Sequence, residues 1–474
     1  MSNDHPLGSA ERPLRVAIVG SGPSGFYAAA ALFKQKDLLV EVDMFERLPT
    51  PYGLVRGGVA PDHQNIKAVT RAFERTARSE GFRFFGNVKI SEHLSVEDLY
   101  AHYDQVVYAV GTESHRDMGV PGEDLAGSFN ATEFVGCYNG HPDFQDRDFD
   151  LENVTTAVVV GIGNVAVDCA RILVRDPDEL AVTDITDEAL TALRKSAVRE
   201  VYMLGRRGPA QAKFAPAEIK EIADCSGADL VLRPEDAEPG PVSAGWLESL
   251  EIREQKNIQK NLDFLAECAS SGEGTEARKV RLWLLTSPIE LMGKDGRVVG
   301  AKLERNSLSI KKPGGEPRPS GTGEVQEIEC QLALRAIGYH GIQLPGVPFD
   351  DWYGIIHNEG GRVIDPDREK AVVPGAYVVG WAKRGPSGLV GTNRACSFAT
   401  VDLMLEDARG QTAPHDEAHT ADGALAFVKA HQPDFITFDD WQKLDAMEVE
   451  RGQTCGKVRQ KFTSAADALE ALRS

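Results

Sequence analysis

Two stretches of this chain follow one pattern. "VAIVGSGPSGFYAAAAL" at 16 to 32 and "VVVGIGNVAVDCARIL" at 158 to 173 each run from Val and Ile through a glycine turn into a helix start. An unbroken apolar run is the mark of a strand covered on both faces, as in a parallel sheet, where the chain must return through a crossover helix. Purely helical and purely antiparallel architectures are therefore excluded, and an α/β chain is expected.

The glycines say what the turns are for. Gly20, Gly22 and Gly25 stand in G-x-G-x-x-G spacing. The first permits the tight turn, the second lets the backbone approach a pyrophosphate, and the third lets helix and strand pack closely. The phosphates then sit at the helix N-terminus. The next apolar strand, "LVEVDMFE", ends on Glu46, an acid placed to accept hydrogen bonds from ribose hydroxyls. The second turn repeats the device with Gly161, Gly163 and Ala166, but its following strand closes on Arg206 and Arg207. Guanidinium groups grip a ribose 2′-phosphate that a carboxylate would repel. The expectation is two Rossmann-like dinucleotide-binding domains. The first would hold FAD, the second NADP(H) rather than NAD(H), and hydride would pass between the two rings.

The length of 474 residues allows two or three domains. No apolar run approaches the roughly 20 residues of a membrane span. The start, residues 1–13, lacks the marks of a secretory or transit segment and reads as a flexible tail. The seven cysteines lie far apart with no C-x-x-C pair, which argues against zinc, an iron–sulfur cluster and a dithiol centre. They fit thiols in a reducing cytoplasm. The net charge of −20 argues against nucleic acid or a membrane surface as partner.

Five longer motifs carry a family resemblance. Together with the first glycine turn, "PTPYGLVRGGVAPDH", "GIGNVAVDCARIL", "GRRGPAQAKF", "RAIGY" and "GWAKRGPSGLVGTN" make the chain resemble ferredoxin–NADP reductases of the adrenodoxin-reductase type, the bacterial members above all. The resemblance implies an NADP domain inserted into an FAD domain, and an iron–sulfur protein of the ferredoxin type as electron partner. It places FAD against Gly22, Ser24, Glu46, Leu54 and Val88, and against Trp381, Gly388, Leu389 and Val390 from the far end of the chain. NADP falls on Gly163, Asn164, Val165, Arg206, Arg207 and Glu218, with Gly388 near the nicotinamide. His63 and Glu218 are the candidates for the surroundings of the reacting rings. Ala382 and Leu389 depart from the Ile expected at both places.

Local patterns fill in the rest. Asp62 suits an N-cap, with His63 in the first turn and an apolar stripe of Ile66, Val69 and Phe73. Pro216 suits the first turn of the helix that carries Glu218. Trp381 offers a flat apolar surface, and a helix start near Leu389 can face the flavin's carbonyls. Residues 176–195 read as an inserted helical excursion without an assigned task. A hairpin should turn at Lys294-Asp295-Gly296. Residues 311–324 read as a polar, mobile loop. "CQLALRAIG" at 330 to 338 reads as the strand that returns the chain to the FAD domain. The expected divisions are 14–112 and 335–408 for FAD, 113–334 for NADP, and 409–474 for a linker with short helices.

The chemistry expected is hydride transfer between NADPH and FAD, then single electrons between FAD and an acidic ferredoxin. The ferredoxin would dock on local Lys and Arg, with Arg194, Lys195 and Arg199 one candidate cluster. A disulfide reductase would need a close cysteine pair, which is missing. A flavin monooxygenase and a flavoprotein redox sensor remain the alternatives.

Overall fold

The computed structural model describes residues 4–473 except Glu113, Pro313, Leu389 and His415. Two parallel sheets organise these residues. In the first, Leu14–Val19 is central, with Val40–Phe45 and Phe82–Phe85 on one side. On the other side stand Gln105–Tyr108 and Ala371–Val378, also parallel. Arg362–Asp365 and Asn358–Glu359 extend that edge in antiparallel fashion. Every residue of Leu14–Val19 is buried, which is why the sequence from Val16 on shows a continuous apolar run with no alternation. Because 371–378 pairs with 105–108, this sheet is assembled from both ends of the chain.

The second sheet runs Ala228–Leu232, Arg278–Trp283, Glu200–Leu204, Thr156–Val160, Leu332–Arg335, Ser128–Asn130, with every neighbouring pair parallel. An antiparallel sheet of Thr286–Lys294, Arg297–Ser309 and Arg318–Glu329 packs beside it through Val158, Leu204, Leu291 and Leu303. Its first turn is Asp295-Gly296 with φ of 51° and 77°. Positive φ at both central residues gives the backbone twist that a two-residue hairpin needs. Where the chain passes between the two sheets, Ser114–His115 pairs with Tyr339–His340 in antiparallel register.

The structure corrects four expectations. The strand Leu332–Arg335 belongs to the second sheet, between Thr156–Val160 and Ser128–Asn130, and the chain returns only beyond it. Burial on both faces looks the same in either sheet, so the sequence could not say which one it joined. Residues 318–324 are not loop but part of the strand Arg318–Glu329. That strand is an exposed edge, so it lacks apolar alternation and tolerates Pro319.

The third correction concerns the start of the chain, which is not a flexible tail from Asp4 onward. Asp4–Pro6 pairs with Thr412–Pro414, and buried Arg12 donates to both carboxylate oxygens of Asp104 at 2.7 and 3.0 Å. A three-residue polar strand whose partner is Thr412–Pro414, at the other end of the chain, leaves no local signal. Finally, Asp62 caps no helix. His63 occupies the N-cap of Gln64–Lys67, and the Asp62 carboxylate is taken by Arg171 and Arg175.

The excursion at 176–195 forms the helices Pro177–Leu180 and Asp187–Arg194. Between them Asp184, 3% exposed, binds Lys67 Nζ at 2.7 Å and Lys461 Nζ at 2.9 Å. Lys461 also donates to Asn139 O at 2.9 Å, and Lys457 to Ile185 O at 2.9 Å. The terminal helices Ala421–His431, Phe438–Thr454 and Ala465–Arg473 pack on the first sheet, burying Trp441 and Leu444 in its core. A capping box, Thr437 with Asp440, starts the second of them. Residues 457–461 therefore strap the inserted half to the half that contains both chain ends. Among the described residues, no helix is long and apolar enough to cross a membrane.

Candidate functional site

The two glycine turns present the same cradle. Gly20 has φ 105°, and a Cβ there would lie 2.5 Å from Ala109 O. At Gly25 a Cβ would meet Gly20 O at 2.3 Å, so the helix start lies directly on the turn. At Gly22, by contrast, a Cβ would find no atom within 4 Å. Gly161 and Gly163 repeat this contrast: a Cβ at the first would meet Ala336 O at 2.3 Å and one at the second would meet open space. Pro23–Lys34 and Asn164–Val174 both start on a glycine N-cap that has no side-chain cap. The leading amides of both helices thus face the open side, as a diphosphate requires. The residues present fit FAD at the first cradle and NADP(H) at the second.

Glu46 closes the first cradle. Its Oε2 accepts from Ser21 Oγ at 2.6 Å and Ser21 N at 3.2 Å, and its Oε1 from Leu48 N at 3.1 Å. Burial pushes its carboxyl above the ordinary value, against these bonds. Val88 is buried in the core and donates its N–H to Glu46 O, so it holds the acid in place. Leu54 opens the short helix Leu54–Gly57, whose approach is fixed by Tyr52 N donating to Ser21 O at 3.0 Å.

From the far end of the chain, Ser397 Oγ donates to Ser24 O at 2.9 Å. Trp381 begins the helix Trp381–Arg384; its Nε1 donates to Ser387 O at 3.2 Å, and its ring lies 5.4 Å from that of Tyr339. Gly388 has φ 80°, and Val390 is the first residue of the helix Val390–Ala408. Leu389 lies outside the described residues.

At the second cradle, Asn164 Oδ1 accepts from Ala215 N at 2.8 Å and so fixes the start of the helix Pro216–Ala223. Val165 is half-buried beside it. Arg206 is exposed. The Arg207 guanidinium pairs with Glu316 at 2.7 Å.

The halves meet at His63. Its Nε2 lies 2.7 Å from Glu221 Oε2, 3.0 Å from Arg171 Nη2 and 3.8 Å from Glu218 Oε2. A guanidinium can only donate and a carboxylate can only accept, so one ring nitrogen cannot serve both neighbours. With its proton on Nε2, His63 donates to Glu221. Arg171 is fully buried and spends its donors on Asp62 and, at 2.7 Å, on Asp168. Burial pushes the Asp168 carboxyl up, with Glu218 and Glu221 adding to the rise and His63 opposing it. His63, Glu218 and Glu221 bring ligand atoms within 4.8 Å of one another. The positive charge there is already supplied by Arg171, whose Nε is 3.4 Å from Glu221.

Sequence reasoning named His63 and Glu218 but missed Glu221, Asp168 and Arg171. Their signal was spacing: Glu221 is one helical turn beyond Glu218, and Asp168 and Arg171 are i, i+3 on the second glycine helix.

The comparisons agree with one another. A family described as pyridine nucleotide-disulphide oxidoreductase matches residues 10–206. The chain is 44% identical over 469 residues to a Mycobacterium tuberculosis protein named NADPH-ferredoxin reductase FprA, covering 97% of this chain and 99% of that one. It is 38% identical to the mitochondrial NADPH:adrenodoxin oxidoreductase of Arabidopsis thaliana, covering 98% and 96%. Among solved structures, that of Mycobacterium tuberculosis FprA in complex with NADPH matches with a TM-score of 0.90 and 42% identity, over 98% of this chain and all of that one.

Proposed function

The chain belongs to the ferredoxin–NADP reductases of the adrenodoxin-reductase type, and from that premise we propose how its residues divide the work. It is an NADPH-dependent flavoprotein reductase that passes electrons to a ferredoxin-type protein. FAD, when bound, supplies the exchange between a two-electron hydride and single electrons. Everything else is done by the chain.

Gly20, Gly22, Ser24, Gly25 and Glu46 hold the flavin nucleotide, with Leu54, Trp381, Gly388 and Val390 around its ring and Val88 behind Glu46. Gly161, Gly163, Asn164 and Val165 hold the second diphosphate, and Arg206 with Arg207 selects the 2′-phosphate. His63 and Glu221, joined through one proton on Nε2, position the nicotinamide side of the site, and Glu218 is the adjoining acid. Arg171 is a positioning residue: through Asp62 it fixes the loop that carries His63. The observation that carries this reading is the contact of His63, from the first half, with Glu221, from the second. It supports placing the two reacting rings at this junction.

The partner ferredoxin is acidic and docks on local cations, Lys195 and Arg199 foremost. Arg194 is already shared with Asp178 at 3.0 Å. Seven unpaired cysteines support placing the enzyme in the cytoplasm. The test is steady-state reduction of candidate ferredoxins with NADPH and NADH side by side on yellow, flavin-loaded protein. A preference for NADH would overturn the role of Arg206 and Arg207. Oxygen consumption tied to an organic substrate would point to a monooxygenase instead.

A further inference from the structure

The arginine pair is bolted to the antiparallel sheet. Asn306 Nδ2 donates to Arg206 O at 3.0 Å and to Ser287 Oγ at 2.8 Å, while Leu285 N donates to Arg207 O at 3.0 Å. Asn306 lies on the strand Arg297–Ser309, whose last residue pairs with Arg318 at the start of the next strand. Two residues before Arg318, Glu316 Oε1 lies 2.7 Å from Arg207 Nη1 and 3.2 Å from Lys213 Nζ. Burial opposes ionisation of Glu316, yet Arg207 and Lys213 hold its carboxyl below the ordinary value. Arg206 faces the like charges of Arg207, Arg318 and Arg116, with Glu316 the opposing charge.

We propose that Glu316 is a built-in counter-ion of the 2′-phosphate subsite, neutralising Arg207 and Lys213 while the subsite is open and leaving when a 2′-phosphorylated nucleotide enters. The inference rests on the assignment of Arg206 and Arg207 to that phosphate. A dianionic phosphate and a carboxylate cannot both lie within hydrogen-bond distance of one guanidinium without repelling each other. The carboxylate is on a connecting segment and the phosphate is not, so Glu316 is the group that yields. Its return lowers the affinity for NADP(H) and helps the oxidised nucleotide leave.

Titration calorimetry of the flavin-loaded protein with 2′,5′-ADP and with 5′-ADP tests this. In Glu316→Gln the ratio of the two affinities should rise about fivefold, the scale of a part-exposed ion pair. A ratio that stays put or falls would make Glu316 a bystander or a direct nucleotide ligand, and would sink the proposal. Wild-type protein that binds the two nucleotides equally would remove the 2′-phosphate assignment itself, and the counter-ion with it. A second reading uses the unaltered chain: 2′,5′-ADP should speed amide hydrogen exchange at 314–316, where Gly315 N now donates to Lys312 O. Slower exchange there would also overturn it.

Discussion

Glu221 Oε2 lies 2.7 Å from His63 Nε2, across the junction between the two nucleotide-binding halves. In the tautomer with its proton on Nε2, that proton goes to the carboxylate, because Arg171 can supply only donors. Glu221→Gln replaces an acceptor of fixed polarity with an amide that can face either way. We expect it to lower the rate of flavin reduction by NADPH about tenfold, near 1.4 kcal/mol. Binding of 2′,5′-ADP, which lacks the nicotinamide, should hardly change. Stopped-flow spectroscopy at the flavin band separates the two, and equal losses in both would assign Glu221 to the fold and not to the site.

On the proposed assignment, Arg206 and Arg207 set the choice of nucleotide. Hydrogen bonds to a charged group contribute about 1.5–3 kcal/mol each. Replacing both Arg206 and Arg207 by Ala should therefore cost at least about 100-fold in kcat/KM for NADPH. NADH should be affected far less. A uniform loss for both nucleotides would contradict the assignment.

Glu46 should govern flavin retention. Its three protein donors come from Ser21 and Leu48, and the remaining lone pairs are left for ribose. Glu46→Ala is expected to weaken FAD binding about 10-fold to 100-fold. The flavin-to-protein absorbance ratio after dialysis measures this directly.

Asp184 ties pH to stability. Burial opposes its ionisation, yet Lys461 and Lys67 together outweigh burial and hold its carboxyl well below the ordinary 3.8. As acid is added, the unfolded chain takes up the proton first, so the contribution is complete above that value and lost as pH falls through and beneath it. At neutral pH, Asp184→Asn removes the carboxylate that holds Lys461 and Lys67, whose charged forms burial already disfavours, and should cost about 3–5 kcal/mol. This would be read as a drop of several degrees in Tm. The gap between the variant and the parent should narrow below about pH 4. A gap that is constant with pH would mean the loss comes from packing and not from charge.

Neutralising Arg194, Lys195 and Arg199 to Gln should lower kcat/KM for ferredoxin about threefold to tenfold and flatten its dependence on salt. Ferricyanide reduction serves as the comparison. An equal loss there would move the effect away from docking.

The parts of the molecule legible in the sequence are those where local chemistry has one structural solution. Gly20, Gly25 and Gly161 sit where a Cβ would strike backbone oxygen, so their spacing alone reveals two strand–turn–helix units. Asp295-Gly296 marks its hairpin for a similar reason. What escaped notice depends on partners far along the chain. Asp62 looks like a cap until Arg171, 109 positions on, claims its carboxylate. The strand Leu332–Arg335 is apolar enough for either sheet, and only pairing chooses between them. Arg318–Glu329 is polar because its edge meets solvent, which hides a strand from any search for alternation. Glu218 drew attention by its motif, whereas Glu221 stands closer to His63 because of the helix's rotation about its axis, which three letters of sequence do not disclose.

The placement of Ala371–Val378 beside Gln105–Tyr108 has a bearing on how the chain reaches this state. During synthesis the inserted half is complete once Leu332–Arg335 has emerged, with all six of its strands present. The outer half must wait, its edge at Gln105 to Tyr108 unpaired, until some 260 further residues have left the ribosome. The interior of the sequence can therefore mature before its exterior. The last segment to arrive, carrying Lys457 and Lys461, acts as the latch that joins two bodies of different age.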